Sequence, residues 1–301
     1  MRLGGEPESS NFEDRTGQSS SGLGGMGGGG SALGCLLPLV MSRFGLGGVV
    51  VLVIGYFLLS SLGGLGGGGG GGLIPSSNSP QSSAPAGQSR LDPNTRNFLV
   101  RVLGSTEQTW SEIFAKNGAK YQPATMVVYT GGTQTACGFG QAAAGPFYCP
   151  NDGKVYLDPS FANELSQRFG APGDAALAYV IAHEVGHHIQ DLEGTLTKAN
   201  QLQARASKTE GNAVQVQVEL QADCYAGVWA ANARDAQGSI LEPGDVEEAM
   251  RAAEAVGDDT LQKQAQGYVV PDSFTHGTSA QRIAALQRGL KSGNPATCQS
   301  L

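Results

Sequence analysis

The stretch GLGGVVVLVIGYFLLSSLGGL, Gly45 to Leu65, separates a polar and Gly-rich N-terminal stretch from the rest of the chain. It carries no charge and is apolar or small almost throughout. GLGGGGGGGLIPSSNSPQSSAPAGQ, Gly64 to Gln88, follows it with too few apolar side chains to pack, the composition of a flexible tether. Glycine is distributed accordingly: 25 of the 46 glycines precede Arg90, and the first 89 residues hold only seven acidic or basic side chains. The globular part is therefore expected over Arg90 to Leu301, 212 of the 301 residues, a length that suits one large domain or two small ones.

As a helix rising ~1.5 Å per residue, the Gly45–Leu65 stretch is long enough to cross a hydrocarbon core about 30 Å thick. A buried core helix is the poorer reading, because the Gly-rich flanks offer no domain to bury it. A cleaved signal peptide is poorer too, since the preceding segment is far too long for an n-region. The sequence thus predicts a polar and Gly-rich tail over 1–43, a transmembrane helix over 44–65, a Gly/Ser/Pro linker over 66–90 and a folded domain over 91–301. Arg43 sits just before the span and no positive charge follows until Arg90. The positive-inside bias then gives a single-pass protein with a cytoplasmic N-terminus and an exported, periplasmic or otherwise extracytoplasmic, domain.

From Arg90 onward there are 16 basic and 22 acidic side chains, net −6, with no basic run and no interleaved aromatics. Phosphate binding needs clustered Lys and Arg, so a nucleic-acid partner is excluded. Phe98, Val102, Trp110 and Phe114 recur at helical spacing in a segment running from Asp92 to Gly118. TMVVYT (125–130) and KVYLD (154–158) are rich in β-branched and aromatic residues and are bounded by turn residues, which predicts strands. Beyond Asp174 the chain reads as helix after helix, over 174–192, 197–207, 212–234, 243–256 and 278–291. A small sheet followed by a mainly helical body is an α+β layout.

YVIAHEVGHHIQ, Tyr179 to Gln190, holds three of the four histidines. Within it HEVGH is H-E-x-x-H. On a helix, residues four apart lie one turn above each other, so His183 and His187 can present imidazole nitrogens to one ion. Glu184 lies about 100° round the helix, where a carboxylate can take a proton from an activated water. His188 is rotated off the ligand face and reads as a polar supporting group. Gly186, poor for helix stability, suits a place where something approaches closely. Catalytic zinc takes three protein ligands and keeps a fourth position open. An H-x-x-G-x-x-H continuation would supply the third, but Gln190 and Glu193 stand where its glycine and histidine belong. VELQADCYAGVWAA, Val218 to Ala231, is the better source: Glu219 and Asp223 share a helix face, and the next turns (Cys224, Tyr225, Val228, Trp229) are apolar. Glu219 then serves as ligand and Asp223 orients an imidazole. Glu210 and Glu193 are weaker competitors.

HEVGHHIQ with ELQADCYAGVWA resembles the glutamate-zincin class, and specifically the bacterial membrane-anchored family of neutral zinc metallopeptidases. GPFYCPNDGKVYLD, ILEPGDVEEAM, GDDTLQ and PDSFTHGTSAQR extend the resemblance over nearly all of 92–301, and the N-terminal segment and anchor are similar as well. The resemblance implies a zincin-like fold, one zinc ion held by His183, His187 and Glu219, and Glu184 as general base. It also implies that His276 and Arg282, late in the domain, stand near the zinc and stabilise an oxyanion. For that loop the sequence also admits a plain capping role, with Thr278 or Ser279 at a helix N-cap.

Of the five cysteines, Cys35 precedes the anchor. There is no C-x-x-C, so a thiolate zinc site is not expected. Export favours disulfides among the other four. Cys137–Cys149 is the natural short loop, and Cys224–Cys298 follows by elimination, with a buried free Cys224 as the alternative. The expected activity is hydrolysis of peptide bonds in a peptide or protein substrate at the membrane, with KVYLD offering an edge strand to an extended peptide. Two other functions fit the same residues: a catalytically silent zinc-fold module binding a cell-envelope partner, and an amidase acting on cell-wall peptides.

Overall fold

A computed structural model of the chain describes residues 1–18 and 89–299. The anchor expected over 44–65, with most of the tail and linker, lies outside the described residues. Among the described residues no helix is long and apolar enough to cross a membrane.

The chain opens with β1 (Phe12–Asp14), and after the undescribed segment come α1 (Pro93–Lys116), β2 (Thr125–Val128), β3 (Gly132–Thr135), β4 (Gly138–Gln141), β5 (Phe147–Cys149) and β6 (Lys154–Leu157). The helical body follows as α2 (Phe161–Gln167), α3 (Asp174–Leu192), α4 (Thr195–Gln203) and α5 (Lys208–Asn232). A two-residue hairpin pair, β7 (Arg234–Asp235) and β8 (Gly238–Ser239), leads to α6 (Asp245–Ala255), α7 (Asp258–Gln266) and α8 (Ser279–Ser292). This is the expected α+β layout.

The four-stranded sheet runs in the order β1-β2-β6-β5. β1, β2 and β6 are parallel, with Phe12 opposite Met126 and Met126 opposite Val155, and β5 is antiparallel to β6. KVYLD is therefore an interior strand, hydrogen-bonded on both sides, and the sheet's free edge beside the helices belongs to β5. The sequence pattern gave no reason to prefer β5, because FYC is only three residues long. The N-terminal segment brings a second correction. Residues expected in a tail contribute β1, the other edge of the sheet, with Phe12 and Leu3 packed against the main core.

Local chemistry explains the helix boundaries. Asp92 caps α1 by accepting from the amides of Asn94 and Thr95, with Pro93 in the first turn. α5 begins a turn before the expected 212 because Ser207 and Glu210 form a reciprocal capping box. α7 was not expected at all: DDTLQKQAQ is almost wholly polar, and only Asp258 in it is buried.

α3 is apolar through Ala175–Ala182, polar where it carries the histidines, and buried from Ala175 to Gln190 except at His187. It lies between the sheet, α1, α5 and α6. α3 and α5 approach closely because Gly186 has no side chain. A Cβ there would sit 3.0 Å from the Ala222 carbonyl oxygen. α5 and α8 come closer still, through facing glycines: a Cβ on Gly289 would lie 1.9 Å from the Cys224 carbonyl oxygen. Disulfides join Cys137 to Cys149 and Cys224 to Cys298, the second fastening the C-terminal turn to α5.

Candidate metal centre

The close contact at Gly186 sets His183 and His187 of α3 opposite Glu219 of α5. His183 Nε2 is 3.2 Å and His187 Nε2 is 3.5 Å from the same oxygen, Glu219 Oε2. Ligand atoms of the three residues all lie within 4.8 Å of one another. Each imidazole has its other nitrogen engaged. His183 Nδ1 donates to Asp223 Oδ1 at 2.8 Å, and His187 Nδ1 donates to Gln190 Oε1 at 2.8 Å. Those bonds select the tautomer whose Nε2 lone pair faces the common point, which is the arrangement a metal-ligating histidine needs. Gln215 Nε2 donates to the remaining oxygen of Glu219 at 2.9 Å.

The electrostatics call for a cation here. Burial opposes a charge on His183, but the Asp223 and Glu219 carboxylates outweigh it and raise its pKa to about 10. Burial likewise opposes ionisation of Glu219, and the histidines around it, His187 foremost, hold it well below the usual carboxylate range. Two imidazoles, deprotonated at Nε2 when a metal binds, and a carboxylate converging on one point form a donor set that fits zinc. Another carboxylate cluster, Asp174, Asp245 and Glu248, has no histidine, and the Met1 ammonium sits 2.8 Å from Asp174 there.

Glu184 is 7% exposed on the same turn as His183. Among the described residues nothing donates a hydrogen bond to its carboxylate. Every other acid of the cluster is tied down. Asp223 accepts from His183, from Tyr179 Oη and from two nitrogens of Arg282, at 2.8 Å and 2.9 Å for the latter pair.

Those bonds relocate Arg282. It was expected beside an oxyanion, but its guanidinium is buried, spans both oxygens of Asp223, and donates also to Tyr179 Oη and the Val256 carbonyl. Four of its five N–H donors are so engaged and the side chain is buried, which ties the guanidinium to Asp223 rather than to a substrate. Its role is to hold Asp223, which holds His183. His276 does come to the centre. Its loop crosses α5 beside Glu219: a Cβ on Gly277 would touch Val216 and Leu220. The loop is pinned by Asp258, whose Oδ2 accepts from the amides of Thr275, His276 and Gly277. The His276 side chain is 39% exposed with Nδ1 3.4 Å from Asp258 Oδ1. Burial opposes its charge, while Glu219 and Asp258 together raise its pKa. The capping alternative holds alongside, for Thr278 and Gln281 form a capping box on α8.

The remaining candidates fall away from the site. Glu210 is exposed in the capping box of α5, and Glu193 accepts from Tyr225 Oη at 2.6 Å. His188 supports the fold, donating through Nε2 to the Gln122 carbonyl at 2.7 Å, with Tyr148 Oη 3.1 Å from Nδ1. Tyr148 belongs to β5, so His188 ties the free sheet edge to the metal helix. Sequence reasoning missed Gln190, Gln215 and Tyr179. Gln190 was weighed only as the residue standing where a turn glycine would be, although its spacing of three from His187 was available as a signal.

A helix carrying two histidines and a buried glutamate, crossed by a second helix carrying Glu219, forms a candidate metal centre of the H-E-x-x-H kind. The chain belongs to the family described as "Putative neutral zinc metallopeptidase", whose pattern matches residues 1–301. Among its relatives is the uncharacterized protein YpfJ of Escherichia coli (strain K12), 46% identical over 304 residues, covering 100% of this chain and 98% of that protein. Another is the uncharacterized protein Rv2575 of Mycobacterium tuberculosis (strain ATCC 25618 / H37Rv), 38% identical over 211 residues, covering 67% of this chain and 69% of that protein. No solved structure matches the chain.

Proposed function

We propose that this chain is a membrane-anchored zinc peptidase of zincin-like fold that hydrolyses peptide bonds with Glu184 as general base. The observation that carries the reading is Glu184 itself. It is buried next to a His₂Glu donor set, and among the described residues it is the acid of that cluster without a partner. A structural metal site needs no such carboxylate.

Zinc held by His183, His187 and Glu219 would supply Lewis acidity toward a scissile carbonyl and bring a water's pKa down to about 7. Glu184 takes the proton of the attacking water and returns it to the leaving amine. His276, held by the Asp258 loop, donates to the oxyanion as it develops. The free edge of β5 offers backbone N–H and C=O groups to an extended peptide, replacing KVYLD in that role. Two disulfides support an oxidising, extracytoplasmic location for the domain, and the 44–65 stretch supports a membrane anchor.

Glu184→Gln tests this directly, since it keeps size and polarity but removes the base. Peptide cleavage should fall by about 10²–10⁴-fold with zinc content and melting unchanged. Undiminished cleavage would place the base elsewhere. If wild-type protein cleaves nothing in a zinc-dependent way across a broad peptide library, a silent zincin-fold binding module replaces the peptidase.

A further inference from the structure

The N-terminal segment is built into the body of the protein. β1 extends the sheet beside β2, and the Met126 amide donates to the Asn11 carbonyl at 2.9 Å while the Arg15 amide donates to the Val128 carbonyl at 2.7 Å. The Ser9 amide donates to the Val100 carbonyl of α1 at 3.0 Å, and the Arg2 amide to the Ile240 carbonyl at 2.8 Å. Side chains repeat the pattern. Arg2 pairs with Asp235 at 2.9 Å, Lys154 with Glu13 at 2.9 Å, and Arg101 with Glu8 at 2.8 Å. Gly104 of α1 leaves room for the segment: a Cβ there would lie 2.0 Å from the Pro7 carbonyl oxygen. Glu6 and Thr16 are buried, at 3% and 2% exposure. Removing the segment would open the edge of β2, where Met126 and Val128 are fully covered.

The segment also ends where the body begins. The Arg90 amide donates to Thr16 Oγ1 at 2.9 Å across a sequence separation of 74, and Ser89 Oγ donates to Asp14. The apolar stretch Gly45–Leu65 lies between these two points. A bilayer's hydrocarbon core is about 30 Å thick. Groups within hydrogen-bond distance cannot stand on opposite sides of it.

We infer that residues 1–18 and the body from Ser89 onward occupy the same side of the membrane. This rests on the proposed membrane role of 44–65 and is independent of peptidase activity. It replaces the topology expected from Arg43, which would separate β1 from the sheet it completes and leave β2 as an uncovered edge. The disulfides support an extracytoplasmic body, and on that reading the N-terminal segment is extracytoplasmic too.

Cysteine labelling of the full chain in cells decides the matter. Ser10 and Gln264 are both exposed, one on each segment. Ser10→Cys and Gln264→Cys, each combined with Cys35→Ser, are treated with a membrane-impermeant maleimide before and after permeabilisation. Both sites should label to the same extent in intact cells. Labelling of both only after permeabilisation would still place them on one side and would move the body inside. Labelling of one in intact cells and of the other only after permeabilisation would overturn the inference. Recovery of the chain from the soluble fraction would also overturn it, since the inference places both segments beside a membrane that holds the chain.

Discussion

Gln190 stands to His187 as Asp223 stands to His183: each accepts the Nδ1 proton and so aims Nε2 at the ion. Gln190 is itself fixed, its amide donating to the Val218 carbonyl at 2.7 Å and to Gln221 at 2.8 Å. Gln190→Ala should weaken zinc binding by about 10–100-fold in chelator competition, the usual effect of losing such a support. An unchanged affinity would mean that packing alone orients His187. Arg282 separates two roles more sharply. Were it an oxyanion donor, Arg282→Ala would slow turnover in a protein of normal stability. As the partner of buried Asp223 it should instead destabilise the fold by about 3–5 kcal/mol, read from denaturant melts. His183, Glu184 and His187 were legible in the sequence because helical spacing fixes which side chains of one helix share a face, whereas Glu219 was reached from its i+4 relation to Asp223 ahead of apolar turns and from the family resemblance. Arg282 was misplaced because spacing says nothing about which of several acids a distant arginine will reach. Gln190 was passed over because an amide carries no ligand signature.

At the scale of elements, glycines set how closely the helices approach, and they differ in how much they tolerate. Gly→Ala in a helix gains roughly 0.5–1 kcal/mol from backbone entropy. At Gly186 the added Cβ would lie 3.0 Å from Ala222, a contact small shifts relieve. At Gly289 it would lie 1.9 Å from a backbone carbonyl, so α8 must move as a body. Gly186→Ala should therefore be near neutral in thermal melts, and Gly289→Ala should cost upward of about 1–3 kcal/mol. Equal effects would show that the α5–α8 contact is looser than its backbone spacing. β1 offers an electrostatic test. Its Glu13 is held at a pKa of about 2, first by Arg15 and then by Lys154, against about 4.3 when unfolded. A depressed carboxylate stabilises the docked strand above the unfolded value, and that contribution is lost as pH falls from there through about 2. Glu13 is 39% exposed, so the contribution is screened by salt. Trypsin cleavage at Arg15 at neutral pH should then rise in Glu13→Gln relative to wild type, and more so at low salt than at high. The long helices were legible because their apolar faces repeat. β1 and β5 were not, since three residues carry no usable period and their place is decided by the partner strand. α7 was missed because a polar helix owes its position to its neighbours.

For the molecule as a whole, the two disulfides close loops of different length. Cys224–Cys298 spans 74 residues and Cys137–Cys149 spans 12. Chain entropy assigns them about 4 and about 3 kcal/mol respectively. Cys298→Ser should lower the melting temperature more than Cys137→Ser, and the reverse order would point to strain or residual structure in the unfolded chain. Loop entropy aside, Cys137–Cys149 ties the β3–β4 turn to the end of β5, and Cys224–Cys298 ties the C-terminal turn to α5. The most direct measurement is zinc stoichiometry in purified full-length protein and its variants. Wild type should carry one zinc ion per chain, Glu219→Ala should fall well below that while remaining folded, and Glu210→Ala should match wild type. Full zinc occupancy in folded Glu219→Ala, or its loss in Glu210→Ala, would contradict the centre formed by His183, His187 and Glu219.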